Sequence, residues 1–257
     1  MSKNLISVYI ITFNEQDRIN DTIIAAKKVA DEIIIIDSGS TDNTKLIVKK
    51  HNIDVIYNKW HSYCEQKYFA QNKCRNDWVL MIDADEVISD QLAQEINQLK
   101  LDDQYCSFKI KIRNILPNQK KPHNIIADYN VVRLYNKKIC SMPKDKGNHD
   151  RIFVPKNKKI GQLKGYIKHY SFINIFHATE KFNIHSSEMQ KKLNKKSKKY
   201  SFFRLVTEYP RQFLKYYLFK GMIFAGKQGF IYASSHAYFR FLKIAKNIEG
   251  KLGSDLK

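Results

Sequence analysis

Two carboxylates at the end of an apolar run are the clearest chemical signal in the sequence. Asp83 and Asp85 follow the run Trp-Val-Leu-Met-Ile at residues 78–82, and Glu86 comes next. An uninterrupted apolar run of this length predicts a strand buried on both faces, so both carboxylates can reach one point at the sheet edge. Carboxylate oxygens suit Mg²⁺ and Mn²⁺, which keep waters and bind substrate phosphates. The pattern therefore predicts a divalent-cation site, and the alternative is a solvated acidic turn.

Polar side chains also follow two earlier apolar runs, at residues 5–11 and 33–36. The carboxyl ends of parallel strands meet at one edge of a sheet, and such sheets bind their ligands there. We therefore expect the side chains that follow both runs to lie on the same edge as the two carboxylates. These side chains are Thr12, Asn14, Glu15 and Asp37.

Strand and helix patterns alternate through the first hundred residues. Strands are predicted at residues 5–11, 32–37, 53–57 and 78–83. Helices are predicted near residues 19–30, up to about residue 51 with Ser40 or Thr41 as the cap, within residues 60–76, and after a cap at Ser89. This alternation is typical of an α/β fold with a doubly wound, mostly parallel sheet.

The periodicity changes after residue 100. Alternating apolar and polar residues predict a half-exposed strand at 105–115 and shorter strands at 131–135 and 151–154. The chain becomes helical beyond about residue 176. We expect one domain at residues 1–175, with halves at 1–100 and 101–175, and a basic, aromatic-rich helical extension at 176–257.

Charge is distributed unevenly along the chain. The 257 residues include 45 Lys and Arg and 25 Asp and Glu, a net charge of +20. Residues 1–150 carry a net +2, whereas residues 151–257 carry +18. This asymmetry favours a polyanionic partner, either nucleic acid or an anionic lipid surface, and a compositional drift toward lysine is the alternative. Because no recognised nucleic-acid-binding motif is present, we expect the lipid surface and no nucleic acid.

The cysteines and the apolar segments indicate the compartment. The four cysteines are 10, 32 and 34 residues apart, which predicts reduced thiols in a cytosolic protein. The N-terminal residues lack the pattern of a signal peptide. Residues 221–239 carry one formal charge, at Lys227, but their Gly, Gln, Ser and His residues argue against a membrane span. We expect a pair of helices that lies on a membrane surface, and an ordinary core or a homodimer face is the alternative.

Three ordered motifs carry a resemblance to a known family. They are Ser7–Glu15, Asp31–Thr44 and Asp77–Glu86. The resemblance continues more weakly at Asn148–Arg151, Lys168–Ser171 and Gly226–Phe230. They resemble the family 2 glycosyltransferases, and more narrowly the small bacterial members that add sugars to the lipopolysaccharide core. The resemblance implies a GT-A fold whose first half binds a nucleotide-diphosphate sugar and whose second half binds the acceptor.

The resemblance also implies roles for the residues at the strand ends. Thr12, Asn14 and Glu15 would border the nucleoside, Asp37 would hydrogen-bond the base, and Asp83 would lie near the ribose.

A divalent cation, Mg²⁺ or Mn²⁺, is implied on the diphosphate of the donor. Asp85 would bind this ion, and His169 falls where GT-A enzymes often supply a late histidine to it. Lys67 would face the diphosphate, and a solvated helix lysine is the alternative reading for that residue.

A catalytic base is needed as well, because inverting transfer requires a carboxylate to take the proton of the acceptor hydroxyl. Family members usually carry His-Glu where this chain has His149-Asp150. The resemblance therefore implies that Asp150 is the base, although its side chain is one methylene shorter than Glu. Glu86 is the rival candidate.

The expected function is inverting transfer of a hexose, from UDP-glucose or a similar donor, to a lipopolysaccharide core or another lipid-linked envelope glycan. The enzyme is expected in the cytoplasm, peripheral on the inner face of the bacterial inner membrane. One alternative is transfer to polyprenyl phosphate or to a capsule or O-antigen chain. The other is a non-catalytic nucleic-acid-binding protein built on residues 188–248.

Overall fold

The apolar runs of the first hundred residues form the parallel half of a mixed sheet. The computed structural model describes residues 5–101, 104–116, 119, 122, 128–144, 151–195 and 200–252. The chain forms two units, one drawn from Met1–Arg113 and Asp128–His169, the other from Asn114–Ala127 and Tyr170–Lys257. The first elements of unit 1 are β1 (Ile6–Thr12), α1 (Ile19–Ala26), β2 (Glu32–Asp37), α2 (Thr44–Lys50), β3 (Val55–Tyr57), α3 (Tyr63–Lys73) and β4 (Trp78–Asp83).

The parallel strands run in the order β3-β2-β1-β4, and their register aligns the predicted polar ends. Thr12 is paired with Asp37, and Ile11 is paired with Asp83. The carboxyl ends of three strands therefore meet at one edge of the sheet, which is the arrangement predicted from the sequence.

The rest of unit 1 is antiparallel and completes an eight-stranded sheet. Its elements are β5 (Glu86–Ile88), α4 (Asp90–Gln98), β6 (Ser107–Asn114), β7 (Tyr129–Asn136) and β8 (Ile160–His169). Strand β7 pairs antiparallel with β4 and with β6, and β5 pairs antiparallel with β8. The α/β fold is confirmed, and the sheet is mixed because only its first four strands are parallel.

Burial of the central strands on both faces explains their continuous apolar sequences. Val8 packs with Leu80 in one hydrophobic cluster, and Tyr9 packs with Met81 in the cluster on the other face. Successive side chains of a strand point to opposite faces, so a strand with helices on both sides needs apolar residues at nearly every position. Ser7 is a buried exception within β1, and its hydroxyl donates to the Glu32 carboxylate. Each buried aliphatic side chain contributes about 1.5–3 kcal/mol to folding.

Several predicted boundaries were wrong. Helix α2 starts at Thr44 and lacks a side-chain cap, because the Ser40 hydroxyl is engaged with the Asp37 carboxylate. The predicted strand at 151–154 is reduced to an isolated bridge between Ser141 and Phe153. Strands β5 and β8 were not predicted at all. The cap at Ser89 is confirmed, since its hydroxyl accepts the backbone N–H of Leu92.

Unit 2 contains the helical C-terminal extension. Its helices are α5 (Ile175–Lys195), α6 (Phe202–Leu214), which continues into a π-helical turn (Lys215–Phe219), a 3-10 turn (Met222–Ala225) and α7 (Gly226–Leu252). A Cβ atom at Gly229 would lie 1.8 Å from the Met222 carbonyl oxygen, so the close approach of the 3-10 turn to α7 requires glycine. None of the helices within the described ranges is long and apolar enough to cross a membrane.

The four cysteines are all buried and none forms a disulfide. Cys106 and Cys140 come closest, with their sulfur atoms 3.4 Å apart. Burial raises the pKa of the Cys74 and Cys140 thiols to about 12. These thiols therefore stay protonated at neutral pH and act as small apolar side chains of the core.

Candidate active site

The predicted carboxylates lie in a short turn between β4 and β5. The Thr22 hydroxyl on α1 donates to the Ala84 carbonyl at 2.9 Å and thereby ties the turn to α1. The backbone N–H of Asp83 donates to Glu86 Oε2 at 3.0 Å. These two bonds hold the Asp83 and Asp85 side chains at the end of the sheet.

Two buried cations hold Asp83. Lys67 Nζ, on α3, lies 2.8 Å from Asp83 Oδ1, and its side chain is 1% exposed. Arg133 Nη2, on β7, lies 3.2 Å from Asp83 Oδ2. Burial alone would raise the pKa of Asp83, but Lys67 and Arg133 outweigh it and keep that pKa well below its usual range. Asp83 is therefore ionised, and Lys67 is a buried partner of it rather than a solvated helix lysine.

Glu86 is buried between Arg133 and the backbone of the turn. Its Oε1 accepts a 2.6 Å hydrogen bond from Arg133 Nη2, while Oε2 accepts from the Asp83 N–H. Burial raises the pKa of Glu86 to about 7 although Arg133 lowers it. Both oxygens are already engaged inside the protein, which disfavours Glu86 as the base for an incoming acceptor.

Arg133 was missed by the sequence analysis. Its guanidinium is buried, and its Nε and Nη1 have no hydrogen-bond partner within the part of the chain that the structure describes. Buried donors without partners cost about 1–3 kcal/mol each, so they mark a place that suits an anionic ligand or water. The available signal was a lone arginine in the apolar sequence Val-Val-Arg-Leu-Tyr of β7.

Asp85 lies between Arg18 and His169. Its Oδ2 is 3.5 Å from Arg18 Nη1 and 3.5 Å from His169 Nε2. The antiparallel register of β5 and β8 pairs His169 with Glu86 and so brings the imidazole to this turn. Burial lowers the pKa of His169, but the carboxylates of Asp85 and its neighbours outweigh it, so the pKa is raised.

Asp85 and His169 fit the predicted divalent-cation site. No group of three or more His, Cys, Asp or Glu side chains that could hold a metal ion occurs among the described residues. Mg²⁺ is commonly held by one or two protein ligands and completes its shell with waters and substrate phosphates, and an imidazole nitrogen also suits Mn²⁺. The convergence of one carboxylate and one imidazole at 3.5 Å is compatible with that type of site.

Glu15 joins the same cluster through Arg18. The guanidinium donates two bonds to the Glu15 carboxylate, Nε to Oε2 at 2.7 Å and Nη2 to Oε1 at 2.6 Å. A bidentate pair of this kind fixes the orientation of the arginine. Arg18 thereby links Glu15 to Asp85, a connection for which the sequence contains no signal.

The remaining predicted residues shape the loops that follow β1 and β2. Asp37 Oδ1 accepts the backbone N–H groups of Gly39 and Ser40 at 2.9 and 2.8 Å. Asn14, in the left-handed region at φ 53°, accepts the Thr41 N–H at 2.9 Å. The Thr12 hydroxyl is buried and has no hydrogen-bond partner among the described residues. Asp37 and Asn14 therefore hold the loop after β2 in place, and Asn14 connects it to the loop after β1.

Asp150 and its neighbour His149 lie outside the described residues. Of the other eight predicted site residues, the structure places six at the ends of β1, β2 and β4 or in the loops that follow them, Lys67 on α3 and His169 at the end of β8. Five of these eight take part in two neighbouring ionic networks. One network consists of Glu15, Arg18, Asp85 and His169, and the other consists of Lys67, Asp83, Arg133 and Glu86.

Comparisons with known proteins identify relatives along almost the whole chain. A glycosyltransferase of Rickettsia typhi is 38% identical over 258 residues, which cover 97% of this chain and 88% of the relative. The lipopolysaccharide core biosynthesis glycosyltransferase LpsC of Rhizobium meliloti is 27% identical over 247 residues, which cover 94% of this chain and 91% of LpsC.

A solved structure shares the fold. The structure of S. aureus TarS 1-349 in complex with UDP-GlcNAc is 17% identical, covers 72% of this chain and 66% of that chain, and has a TM-score of 0.51. The GT-A architecture implied by the motifs is thus confirmed. Residues 7–155 match the glycosyl transferase family 2, and this match spans the parallel strands and the acidic turn. The chain therefore belongs to glycosyl transferase family 2.

Proposed function

We propose that this glycosyltransferase moves a hexose, with inversion, from UDP-glucose or a similar nucleotide-diphosphate sugar to a lipopolysaccharide core or another lipid-linked envelope glycan. The observation that carries the donor class is the set of paired charges at the strand ends: Asp83 pairs with Lys67 and Arg133, and Asp85 pairs with Arg18 and His169. The acceptor class draws support from the similarity to LpsC. We propose that the enzyme works in the cytoplasm, on the inner face of the inner membrane.

The loops after β1 and β2 are proposed to hold the nucleoside. Thr12, Asn14 and Glu15 border it in this proposal, and Asp37 accepts a hydrogen bond from the base. The hydrogen bonds of Asp37 to its own loop support this role, because they hold the carboxylate in place before a ligand arrives. Asp83 lies near the ribose and is kept ionised by Lys67.

Asp85 and His169 are proposed to hold the divalent cation. When bound, Mg²⁺ or Mn²⁺ supplies positive charge to the departing diphosphate. Lys67 is proposed to face the same anion from its position beside Asp83. Arg133 presents the unpaired donors Nε and Nη1, which suit phosphate oxygens or the waters that bridge to them.

A screen of nucleotide-sugar donors tests the proposed chemistry. Purified protein is mixed with each common UDP-, GDP- and TDP-sugar, with and without Mn²⁺, and release of free nucleotide diphosphate is followed. We expect slow hydrolysis of one donor, only with metal, and thermal stabilisation of the protein by UDP plus Mn²⁺. Absence of hydrolysis and of stabilisation across the whole panel would contradict the proposed donor class.

Asp150→Asn tests the proposed base. We expect turnover to fall at least about a hundredfold, the low end of what a general base contributes, while UDP binding stays unchanged. Turnover with acceptor and UDP affinity by calorimetry are the two measurements. Asp145→Asn, five residues earlier in the sequence, is the matched control. Near-normal turnover of the Asp150 variant would move the base to another carboxylate.

A further inference from the structure

The fully buried side chains of helix α6 are polar, and most of its exposed side chains are apolar. Glu208 and Gln212 are 0% and 4% exposed, whereas Phe203 and Val206 are 77% and 57% exposed. Helices at the surface of a water-soluble protein have the opposite arrangement, with their apolar stripe toward the core. Helix α6 is therefore built to present apolar side chains outward.

The buried polar residues are fully used inside unit 2. Glu208 accepts hydrogen bonds from Arg211 at 2.8 Å and from Gln212 at 2.9 Å. Arg240, on α7, lies 3.4 Å from the same carboxylate. This ionic cluster and the half-buried Phe213, which contacts Phe230, attach α6 to α7. The exposed apolar side chains of α6 lie outside these contacts.

The exposed apolar residues continue beyond α6 into the two turns that follow it. We call this set the apolar face; each member is 38% exposed or more. Its members are Phe202, Phe203, Val206, Tyr209, Leu214, Leu218, Phe219, Ile223 and Phe224. Phe219 and Phe224 are 85% and 79% exposed, and exposed aromatic clusters of this kind mark interaction surfaces.

The charges around the apolar face are cationic. Residues 200–226 contain one acidic residue, Glu208, which is the buried one, and their cations are Arg204, Arg211, Lys215 and Lys220. A helix with apolar and aromatic residues on one side and flanking Lys and Arg is suited to the interface of an anionic bilayer. In that position the apolar side chains enter the acyl boundary and the exposed Lys215 and Lys220 meet lipid phosphates. Arg204 and Arg211 pair with Glu208, at 2.9 and 2.8 Å.

We propose that the apolar face inserts into the surface of an anionic phospholipid bilayer. A second copy of the chain is a less suitable occupant, because a symmetric contact would bring the same cations of both copies together with no acidic counterpart. This inference deepens the proposed function, since a lipid-linked acceptor lies at that surface, but it stands on the surface chemistry of unit 2.

Vesicle binding tests the inference on the full chain. Purified protein is sedimented with vesicles of phosphatidylcholine alone and of phosphatidylcholine with an equal part of phosphatidylglycerol. We expect at least about tenfold tighter binding to the anionic vesicles. Equal binding to both, or binding to neither, would overturn the proposal.

Two variants assign the binding to the apolar face and its cations. Phe203→Ser with Val206→Ser should weaken binding to anionic vesicles at least about tenfold, without changing the melting temperature, because both side chains are exposed. The matched control is Ile24→Ser with Leu46→Ser on unit 1, whose side chains are also exposed. Wild-type binding by the Phe203 and Val206 variant would overturn the assignment.

Lys215→Gln with Lys220→Gln provides a second variant that leaves the apolar side chains intact. It should reduce the preference for anionic vesicles, and an unchanged preference would contradict the electrostatic part of the proposal. Light scattering on the wild type and on the Phe203 and Val206 variant measures whether a second copy of the chain binds to the apolar face. If the wild type is a dimer and the variant is a monomer, the apolar face binds a second copy of the chain, and the bilayer proposal is overturned.

Donor hydrolysis without vesicles, measured on the same proteins, separates this inference from the proposed function. Hydrolysis without vesicle binding would overturn the membrane inference and leave the enzymatic one standing. Vesicle binding without hydrolysis of any donor would overturn the proposed enzymatic function and leave the membrane inference standing.

Discussion

Asp85→Asn should lower the rate of sugar transfer at least about a thousandfold. Asparagine keeps the size of the side chain and one of its oxygen atoms, but removes the charge that a divalent cation needs. A bound cation contributes several kcal/mol to stabilising a departing diphosphate, and about 4 kcal/mol corresponds to a thousandfold in rate. The loss should appear in turnover and in the metal-dependent part of UDP binding together.

Release of nucleotide diphosphate and calorimetric titration of UDP, each with and without Mn²⁺, are the measurements for Asp85→Asn. Asp54→Asn is the matched control, since Asp54 is exposed near the start of β3. It should retain wild-type turnover and binding. Full metal-dependent UDP binding by the Asp85 variant would show that another residue holds the cation.

Arg133→Met should lower the free energy of unfolding by about 3–5 kcal/mol, the range found when one partner of a buried ion pair is removed. Arg133 is the contact that Asp83 and Glu86 share. Methionine fills much of the same space but leaves Glu86 with a single hydrogen bond from the backbone. The large cost therefore comes from Glu86, a buried carboxylate that loses its cation, rather than from a cavity, since Asp83 keeps its pair with Lys67.

Urea unfolding followed by circular dichroism measures the effect of Arg133→Met. Lys138→Met is the control, because Lys138 pairs with Asp77 at the surface, where its side chain is 70% exposed. Exposed pairs contribute about 0–1 kcal/mol, so the control should unfold nearly like the wild type. Equal losses in the two variants would mean that water replaces Arg133 in the cluster.

Local sequence patterns predicted the parallel strands well. The predicted strand at 78–83 coincides with β4, and the predicted strand at 5–11 differs from β1 by one residue at each end. Both strands are buried on two faces, so their side chains must be apolar at nearly every position. Such runs are easy to recognise in the sequence because burial on both faces restricts the residue type at each position, whatever the rest of the chain does.

Strand β8 was missed because close packing against a neighbouring helix determines part of its sequence. A Cβ atom at Gly165 would lie 2.4 Å from the Cα atom of Leu92 on α4, so glycine is required where the helix crosses the strand. Glycine inside a strand weakens the usual strand pattern. The reason for that glycine is visible only once α4 is in place.

Helix α2 was predicted to start too early for a related reason. Ser40 is a good helix cap by residue type, yet its hydroxyl and N–H both bind Asp37 in the loop after β2. Serine side chains can serve a loop or a helix terminus, and a tertiary feature, the buried carboxylate of Asp37, decides between them.

The amino-acid sequence alone determined the family, the α/β fold and the strand ends at which Asp37, Asp83 and Asp85 lie, because burial dictates residue type locally along each strand. Only the tertiary structure decided which charges meet. Lys67 and Arg133 reach Asp83 from α3 and β7, and His169 reaches Asp85 through the register of β5 and β8. The outward apolar side of α6 was likewise decided by the fold, through the packing of Glu208. Ion pairs and exposed faces depend on contacts between residues far apart in the chain, and no local pattern encodes those contacts.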